Sequence, residues 1–522
     1  MLQALLPSLR YLTSRSAPAV AATGLGSASV AYITLSDSDG ATAVRRVGLS
    51  TRYIVPVLLD WKLHELRVWA LSLDADEERQ AASRTHTRIA ERLRDLALRQ
   101  GGIYIKGAQH MCAQPIIAGE YVSVLRTLMS YQATQRTDWD LQTFREDTGL
   151  RMVDAFQSFD PEPVASASLA SVYRATLPDS TPVAVKIQAR TVARFLQVDL
   201  WTIELYYDLL ACLIPGLRLG WLAAETRRHM NEELDFVQER RNSEEAAEQL
   251  ATEFPRSRVI VPRAFPALSG PRVLTMEWID GCRIDEVRQR LPHVNVAAVA
   301  ELVQRVFAAQ LFVHGFVHVD PHSANLFVTP TGALAVLDHG IYRRLSDELR
   351  VNYARLWLAV LAGNRADIQR CTAALGMPPE RWKVVAVMLA LAPGMDIPES
   401  GNARRRLADD KSAARSLASL TPAQRAAASQ RAMALGGGIA AHSAFLESIP
   451  RDLLLVLKAN NLLRFVNDQL GAPVNRFRII GEYAQRGAAA TSRPSMWLRI
   501  NTAMAPWLER HARRSADSLS RD

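Results

Sequence analysis

The chain has 522 residues, of which 48% are hydrophobic and 22% are charged. This composition excludes an intrinsically disordered chain, and the length indicates more than one structural unit. The formal net charge of +9 suits a nucleic acid, an anionic membrane surface or a phosphorylated ligand as partner. The four cysteines form no CxxC pair, which argues against a disulfide framework and a thiolate zinc site.

The first 45 residues differ in composition from the rest of the chain. Between Met1 and Ser36 there is no acidic residue, and Arg10 and Arg15 lie among Ser, Leu, Tyr and Ala. This pattern is typical of a mitochondrial transit segment. The uncharged run 16–36 is long enough to span a bilayer, but its Gly, Ala, Ser and Thr content makes a membrane span the weaker interpretation. Residues 1–45 are therefore predicted to be a targeting leader.

Residues 46–150 are predicted to form a helical extension, because apolar residues recur at helical spacing in Arg88–Gln100 and stop at Gly101. After residue 150 the sequence pattern changes from helical to strand-like. The β-branched segments SVYRATL and VAVKI flank the turn PDSTP, which predicts a β-hairpin that ends on Lys186. Residues 190–250 are predicted to be helical with a break near Pro215, and residues 272–278 to form a further strand.

The second half of the chain is predicted to be mainly helical. A helix should extend from Glu301 to Gly315, followed by a hairpin in which LFV and ALAVL flank TPTG. Residues 395–430 are polar, rich in Arg and Ala, and predicted to be a loop. Helices should continue through 286–470 and into a helical tail at 471–522.

Two short motifs flank the predicted hairpin: HVDPHSAN at 318–325 and LDHG at 337–340. A hairpin returns the chain to its starting point, so Asn325 and Asp338 should lie side by side. An amide oxygen and a carboxylate are ligands that Mg²⁺ accepts. The sequence therefore predicts a magnesium site at the open end of this hairpin.

These motifs resemble the signature of protein kinases, in which H-R-D-x-x-x-x-N supplies a catalytic aspartate and a metal-binding asparagine. Asp320 and Asn325 have that spacing, and Asp338 corresponds to the metal-binding aspartate of D-F-G. Lys186 corresponds to the strand lysine that pairs with the α- and β-phosphates, with Glu233 or Glu239 as its helix partner. The prediction is an α+β, two-lobed protein-kinase-like fold that binds ATP with Mg²⁺, with an N-terminal lobe at 151–285 and a helical C-terminal lobe.

The phosphate-covering loop departs from this signature. The expected G-x-G-x-x-G-x-V appears as ASASLASV, so alanine replaces each glycine and should hold the backbone away from phosphate. His322 stands where protein kinases keep a lysine near the γ-phosphate, which replaces a fixed charge by a titratable one. The loop residues predicted to meet nucleotide are Ala165, Ser166, Ala167, Ser168 and Val172.

Four histidines offer an alternative interpretation as zinc ligands, because His314 and His318 have i,i+4 spacing and His322 and His339 follow. Pro321 interrupts any helix that would present them together. The kinase-like interpretation is therefore preferred to a zinc site.

The chain resembles the AarF-domain, UbiB-type family of atypical kinase-like proteins, whose hallmark is an alanine-rich phosphate loop. The resemblance covers roughly residues 90–470. It rests on PVASASLASVY, VAVKIQ, EELDFVQERRN, HVDPHSAN, LDHG and IPRDLLLVLKANNLLR. The DHG variant of D-F-G resembles a mitochondrial branch linked to lipid and membrane upkeep.

The resemblance implies further site residues. YIKGAQ looks like the K-x-G-Q motif of the family's N-terminal extension, with Lys106 and Gln109 in place but Ala108 instead of glycine. Glu233 matches the family's E-x-D motif, whose glutamate pairs with the lysine of K-x-G-Q, here Lys106. Glu239 is then expected to be the partner of Lys186. The hinge after strand VLTM, with Glu277 and Ile279, is expected to offer backbone groups to adenine.

The resemblance also implies an activity. It suggests binding and slow Mg-dependent hydrolysis of ATP to ADP, coupled to a lipid or quinone-like molecule such as a ubiquinone precursor, at an anionic mitochondrial membrane surface and without a nucleic-acid partner. Two alternatives stay open: a pseudokinase scaffold that binds nucleotide or lipid without turnover, and an ordinary Ser/Thr protein kinase. The protein kinase is the less favoured of the two, because Lys106 would occupy the peptide side of the cleft.

Overall fold

The computed structural model describes residues 37–72, 74–113, 119–130, 137–166, 168–213, 220–390 and 447–489. Residues 1–36 of the predicted leader, Ala167, the predicted loop 395–430 and the tail from residue 490 lie outside the described residues. The remaining leader residues, 37–45, belong to the first helix, Asp37–Leu71. The chain divides into two compact units. In the part that is described, the first unit holds the residues up to Glu244 together with Pro262–Trp278, and the second holds Glu245–Val261, Ile279–Ala390 and Ser448–Ala489.

The extension that begins the first unit is helical, as the sequence predicts. A capping box formed by Asp74 and Glu77 starts its second helix, and Gly101 ends it. Ile103, Ile105 and Leu128 form a buried apolar core with side chains of the later helix that begins at Arg190. The helices are α1 (Asp37–Leu71), α2 (Ala75–Gln100), α3 (Gly102–Ala113), α4 (Gly119–Leu125), α5 (Thr137–Thr148) and α6 (Met152–Ala155), with a 3₁₀ turn at Arg126–Ser130.

A five-stranded antiparallel sheet follows, and it contains the predicted hairpin. Its order is β1-β3-β4-β6, with β2 paired to β3. Val172 on β3 lies opposite Lys186 on β4, which in turn lies opposite Leu274 on β6. Lys186 is thus held by hydrogen-bonded strands on both sides. The strands are β1 (Ser158–Phe159), β2 (Ala165–Ser166), β3 (Ala170–Thr176), β4 (Pro182–Gln188) and β6 (Val273–Glu277).

The helical segment after this hairpin is divided into α7 (Arg190–Leu213), α8 (Gly220–Glu233) and α9 (Phe236–Ala251). The prediction of one helix up to residue 250 after the break near Pro215 is wrong, because Leu234 and Asp235 separate α8 from α9. The Asp235 carboxylate accepts a hydrogen bond of 2.9 Å from the backbone N–H of Gln238. This side chain satisfies a donor of the first turn and so begins a new helix.

The described residues of the second unit form two small sheets. One has the order β5-β10-β9-β7, and β8 and β11 form a separate antiparallel pair. The predicted LFV and ALAVL strands are β9 and β10, with Leu326 opposite Val336. The strands are β5 (Val259–Ile260), β7 (Cys282–Arg283), β8 (Phe316–His318), β9 (Leu326–Val328), β10 (Leu334–Val336) and β11 (Tyr342–Arg344).

The other main elements in the described part of the second unit are helices. The predicted helix that ends at Gly315 is present: α11 continues into a π-helical turn, Ala309–His314, and Gly315 closes it with a positive φ of 69°. The helices are α10 (Val287–Arg290), α11 (Val296–Ala308), α12 (Asp347–Ala362), α13 (Arg365–Ala374), α14 (Trp382–Ala390), α15 (Arg451–Gln469) and α16 (Arg476–Ala489).

Candidate functional site

The strand lysine of the first unit forms a buried ion pair with α9. The Nζ atom of Lys186 lies 2.7 Å and 2.9 Å from the two carboxylate oxygens of Glu239. The side chain of Glu239 is 1% exposed and that of Lys186 is 14% exposed. Lys186 also lies 4.9 Å from the centre of the Phe236 ring. Of the two glutamates that the motif spacing left open, Glu239 is the one in contact with Lys186.

A second lysine of the first unit pairs with α8. The Nζ atom of Lys106, on α3, lies 3.0 Å from Glu233 Oε2, and both side chains are largely buried. The amide of Gln109, one turn further along α3, donates a hydrogen bond of 2.8 Å to the carbonyl of Leu128. Lys106 and Gln109 therefore point to different neighbours, and Gln109 ties the extension to its own 3₁₀ turn.

The alanine-rich loop joins β2 to β3. Ala165 lies opposite Val172 and Ser166 opposite Ser171, and the two serine hydroxyls are 3.0 Å apart. Ser168 is buried, whereas Ala167 lies outside the described residues. Backbone pairing and the contact between the two hydroxyls thus hold β2 and β3 together at the base of this loop.

The predicted hinge begins where β6 ends. The backbone N–H of Glu277 donates to the carbonyl of Arg263 at 2.8 Å, and its carboxylate accepts from the N–H of Arg263 at 3.1 Å. Ile279 is half-buried and is the first residue after Trp278 to belong to the second unit. The change from one unit to the other thus falls within the predicted hinge.

In the second unit, β8 leads directly into the segment that carries Asp320. Asp320 is 7% exposed, and the side-chain amide of Asn325 donates a hydrogen bond of 3.3 Å to its backbone carbonyl. This hydrogen bond uses the amide nitrogen, so the amide oxygen of Asn325 is the atom suited to a cation. The loop is compact and held by its own side chains.

The hairpin places Asn325 beside the LDHG motif. The backbone N–H of Leu337 donates to the carbonyl of Asn325 at 2.9 Å, which extends the pairing of β9 and β10 by one step. Asp338 follows directly, and one of its carboxylate oxygens accepts from the N–H of Gly340 at 3.0 Å. An asparagine amide and an aspartate carboxylate in this register fit a hard cation such as Mg²⁺.

Two of the four histidines in the zinc interpretation, His318 and His339, lie buried in the second unit. His339 has Nδ1 2.9 Å from the hydroxyl of Tyr342 and Nε2 3.0 Å from the carbonyl of Val336, so neither ring nitrogen points to a metal. His318 is fully buried, and burial lowers its pKa. Within the described ranges, no group of three or more His, Cys, Asp or Glu side chains could hold a metal ion. The zinc interpretation therefore lacks His339 as a ligand.

One residue of this unit was not selected from the sequence. Lys458, on α15, has Nζ 3.0 Å from Asp320 Oδ1, and its side chain is 5% exposed. The sequence signal was present, because Lys458 lies in IPRDLLLVLKANNLLR, one of the segments that carry the family resemblance. Only the fold brings that helix to Asp320.

One helical segment in the described part of the chain is long and apolar enough to cross a membrane. It comprises Val296–His314, with a mean hydropathy of 1.6 over its most apolar window, and 61% of that window is buried within the protein. This degree of burial is typical of a core helix.

Comparisons with known proteins agree with these features. Residues 130–372 match the family model described as the ABC1 atypical kinase-like domain. AarF domain-containing kinase 1 of Drosophila melanogaster is 29% identical over 500 residues, which cover 92% of each chain. AarF domain-containing protein kinase 1 of Gallus gallus is 32% identical over 397 residues, which cover 74% of this chain and 72% of the relative.

A longer relative is the probable serine/threonine-protein kinase abkD of Dictyostelium discoideum, which is 31% identical over 419 residues. The match covers 78% of this chain but 56% of abkD, so this chain spans little more than half of that relative. A solved structure of Rv3197 with erythromycin, from Mycobacterium tuberculosis, has a TM-score of 0.41 and 23% identity and covers 58% of this chain and 75% of its own. The predicted α+β, kinase-like fold is confirmed, and the chain belongs to the ABC1/AarF family of atypical kinase-like proteins.

Proposed function

We propose that this protein binds Mg-ATP and hydrolyses it slowly, in support of mitochondrial lipid or ubiquinone homeostasis. The observation that carries the proposal is the buried ion pair between Lys186 and Glu239, at 2.7 Å and 2.9 Å. A lysine oriented by a helix glutamate is the arrangement with which kinases neutralise the α- and β-phosphates of ATP. A buried pair of this kind has little net structural benefit, which favours a role in ligand binding.

The other residues have complementary roles in this proposal. Asn325 and Asp338 would hold Mg²⁺, which neutralises phosphate charge when it is bound. Asp320 would orient the attacking water, and backbone groups near Glu277 and Ile279 would meet the adenine. The alanine-rich loop, with Ala165, Ser166, Ala167, Ser168 and Val172, would cover the phosphates less closely than a glycine-rich loop. Gln109 would support the position of Lys106.

The choice of hydrolysis over protein phosphorylation rests on the extension. Lys106 is held by Glu233 at 3.0 Å in a largely buried place, so its helix is anchored to α8. In the proposal this anchored helix keeps protein substrates from the nucleotide. Water is then the acceptor of the γ-phosphoryl group, and ADP and phosphate are the products.

A membrane location is supported by two features. The composition of residues 1–36 is that of a mitochondrial leader. On α1, Val55, Leu59, Leu63 and Leu66 recur at helical spacing and are 43%, 56%, 61% and 46% exposed. An exposed apolar stripe on a basic protein suits binding to an anionic lipid surface. At that surface the protein would encounter its lipid or quinone-like molecule.

The proposal is tested by phosphate release from Mg-ATP, measured on the full chain with and without anionic liposomes. Wild type should release phosphate, and Asp338→Asn should reduce the rate at least about 10²-fold. Asp160→Asn, at an exposed aspartate, is the matched control and should keep the wild-type rate. A wild type without turnover, whose melting temperature ATP still raises, would instead indicate the nucleotide-binding scaffold.

A Ser/Thr protein kinase is the second candidate, and the names of the relatives favour it. It predicts transfer of ³²P from ATP to a protein in trans. The sharp comparison is wild type against Lys106→Met. Strong transfer of phosphate to the protein substrate by both wild type and Lys106→Met would support a protein kinase instead of a hydrolase. The absence of such transfer by wild type would agree with the hydrolase proposal.

A further inference from the structure

Asp320 is the acidic residue of the HVDPHSAN segment, and its carboxylate faces two basic side chains. Oδ1 lies 3.0 Å from Lys458 Nζ, and Oδ2 lies 3.8 Å from His322 Nε2. The lysine is in direct ion-pair contact, whereas the imidazole is beyond hydrogen-bonding distance. Lys458 is therefore the closer of these two basic groups to this carboxylate.

The position of Lys458 is set by a rigid helix. α15 is anchored in the turns that follow Lys458: the amide of Asn460 donates to the carbonyl of Leu389 at 3.3 Å, and the amide of Gln304 donates to the carbonyl of Leu463 at 3.3 Å. The side chain of Lys458 is 5% exposed. A lysine at such a depth is costly unless an anion accompanies it. The burial of Lys458 and its contact with Asp320 thus hold its ammonium group next to the Asp320 carboxylate.

The loop itself lacks a fixed positive charge beside Asp320. His322 occupies the place where protein kinases keep a lysine near the γ-phosphate. A phosphoryl-transfer site needs a cation near the transferred group, because negative charge spreads over its oxygens in the transition state.

We infer that Lys458 is the γ-phosphate-binding lysine of this protein, supplied by α15 in place of the loop lysine that His322 has replaced. The inference rests on the proposed function and adds a phosphate-binding residue to that site. Lys458 holds Asp320 with one of its N–H groups and has two further N–H groups for the oxygens of the γ-phosphate. Asp320, held by Lys458, orients the attacking water by accepting a hydrogen bond from it.

The bond changes of the step are those of ATP hydrolysis. The water oxygen forms a bond to the γ-phosphorus while the bond to the bridging oxygen breaks, and that electron pair leaves with ADP. The proton lost by the water passes to the released phosphate or to solvent.

The experiment compares full-length wild type, Lys458→Met and the double variant Lys458→Met/His322→Lys, with Lys383→Met at an exposed lysine as control. Two quantities are measured: kcat for phosphate release from Mg-ATP, and dissociation constants for ATP and for ADP. We expect Lys458→Met to lower kcat about 10²-fold and to weaken ATP binding about 10-fold while ADP binding stays unchanged. The double variant should recover about tenfold in kcat, and the control should match wild type.

The outcomes separate this inference from the proposed function. One outcome is that wild type shows no turnover while Lys458→Met still removes the preference for ATP over ADP. That result would contradict the proposed hydrolysis and support the contact between Lys458 and the γ-phosphate. If wild type hydrolyses ATP and Lys458→Met does so at the same rate, the proposed hydrolysis is supported and the inference about Lys458 is overturned.

A structural role alone would give a third pattern. Lys458→Met would then lower the melting temperature, weaken ATP and ADP binding equally, and gain no turnover from His322→Lys. That pattern overturns the inference. Lys458→Arg provides a further check, since it keeps the charge and should retain more of the ATP preference than Lys458→Met.

Discussion

The lysine–glutamate pairs of the first unit and the Asn325–Asp338 pair of the second unit are assembled in different ways. In the first, Lys106 meets Glu233 and Lys186 meets Glu239, and each pair joins elements that are far apart in the chain. In the second, Asn325 and Asp338 come together through one short hairpin. Local hydrogen bonding is enough to place the pair in the second unit. The two pairs of the first unit depend on tertiary packing, of helix on helix for Lys106 and Glu233 and of helix on sheet for Lys186 and Glu239. The difference indicates which contacts a short motif can predict.

The largest effect is expected from breaking the pair at Glu239. Glu239→Gln leaves the Lys186 cation without its carboxylate in a largely buried place, and the free energy of unfolding should fall by about 3 kcal/mol. Phosphate release should fall by at least about 10²-fold. Urea unfolding and the turnover assay measure the two effects.

The control is Glu204→Gln, which breaks the more exposed pair between Arg227 and Glu204 and should cost less than about 1 kcal/mol. In the double variant Lys186→Met/Glu239→Leu, apolar side chains replace both charges, so stability should recover but turnover should not. Equal losses in Glu239→Gln and Glu204→Gln would contradict the distinction between buried and exposed pairs.

The next effect concerns the extension. Lys106→Met removes a charged hydrogen bond to Glu233 at 3.0 Å, and the free energy of unfolding should fall by about 1.5–3 kcal/mol. Lys62→Met is matched to it, because Lys62 is also a helix lysine of the extension but pairs with Glu65 at the surface. Urea unfolding of Lys62→Met should differ from wild type by less than about 0.5 kcal/mol. Indistinguishable variants would mean that Lys106 does not anchor the extension.

The second unit should respond to acid through a buried histidine. Burial lowers the pKa of His318, so the folded protein binds fewer protons at this site than the unfolded chain. Its contribution is intact above the unfolded pKa of about 6.5 and is lost as the pH falls below that value. Between about pH 7.5 and about pH 5.5 the loss is at most about 1.4 kcal/mol.

His318→Asn should reduce this pH dependence of urea unfolding by that amount. Burial also lowers the pKa of His86 and of His314, so part of the acid sensitivity should remain in the variant. His293→Gln, at an exposed histidine, should leave the dependence unchanged. A pH profile of His318→Asn that overlays the wild-type profile would show that His318 is not held neutral by the fold.

The smallest effect is expected at the turn of the local hairpin. Gly332 has a φ of +81° between β9 and β10, so Gly332→Ala should cost about 1 kcal/mol through backbone strain. Gly48→Ala is the opposite case, because Gly48 lies inside α1 with open space around it. That variant should be more stable by about 0.5–1 kcal/mol. A Gly332→Ala protein as stable as wild type would weaken the argument that this turn sets the register.

Much of the site was predictable because its motifs are local. The hairpin that ends on Lys186 and the one between Asn325 and Asp338 both follow from alternating β-branched residues around a turn, and their register then places the side chains. The break between α8 and α9 was missed, since Asp235 reads as an ordinary polar residue in a Glu-rich helix until its side chain is seen to accept from Gln238.

The sequence by itself determined the kinase-like class, the hairpins and the residues of the short motifs, because strand alternation and turn chemistry act between close neighbours. Motif spacing alone left open whether Glu233 or Glu239 pairs with Lys186, although the family resemblance favoured Glu239, and neither singled out Lys458. The tertiary structure shows the contacts themselves. A long lysine side chain can reach several carboxylates, and which one it meets depends on how separate helices pack around buried charge.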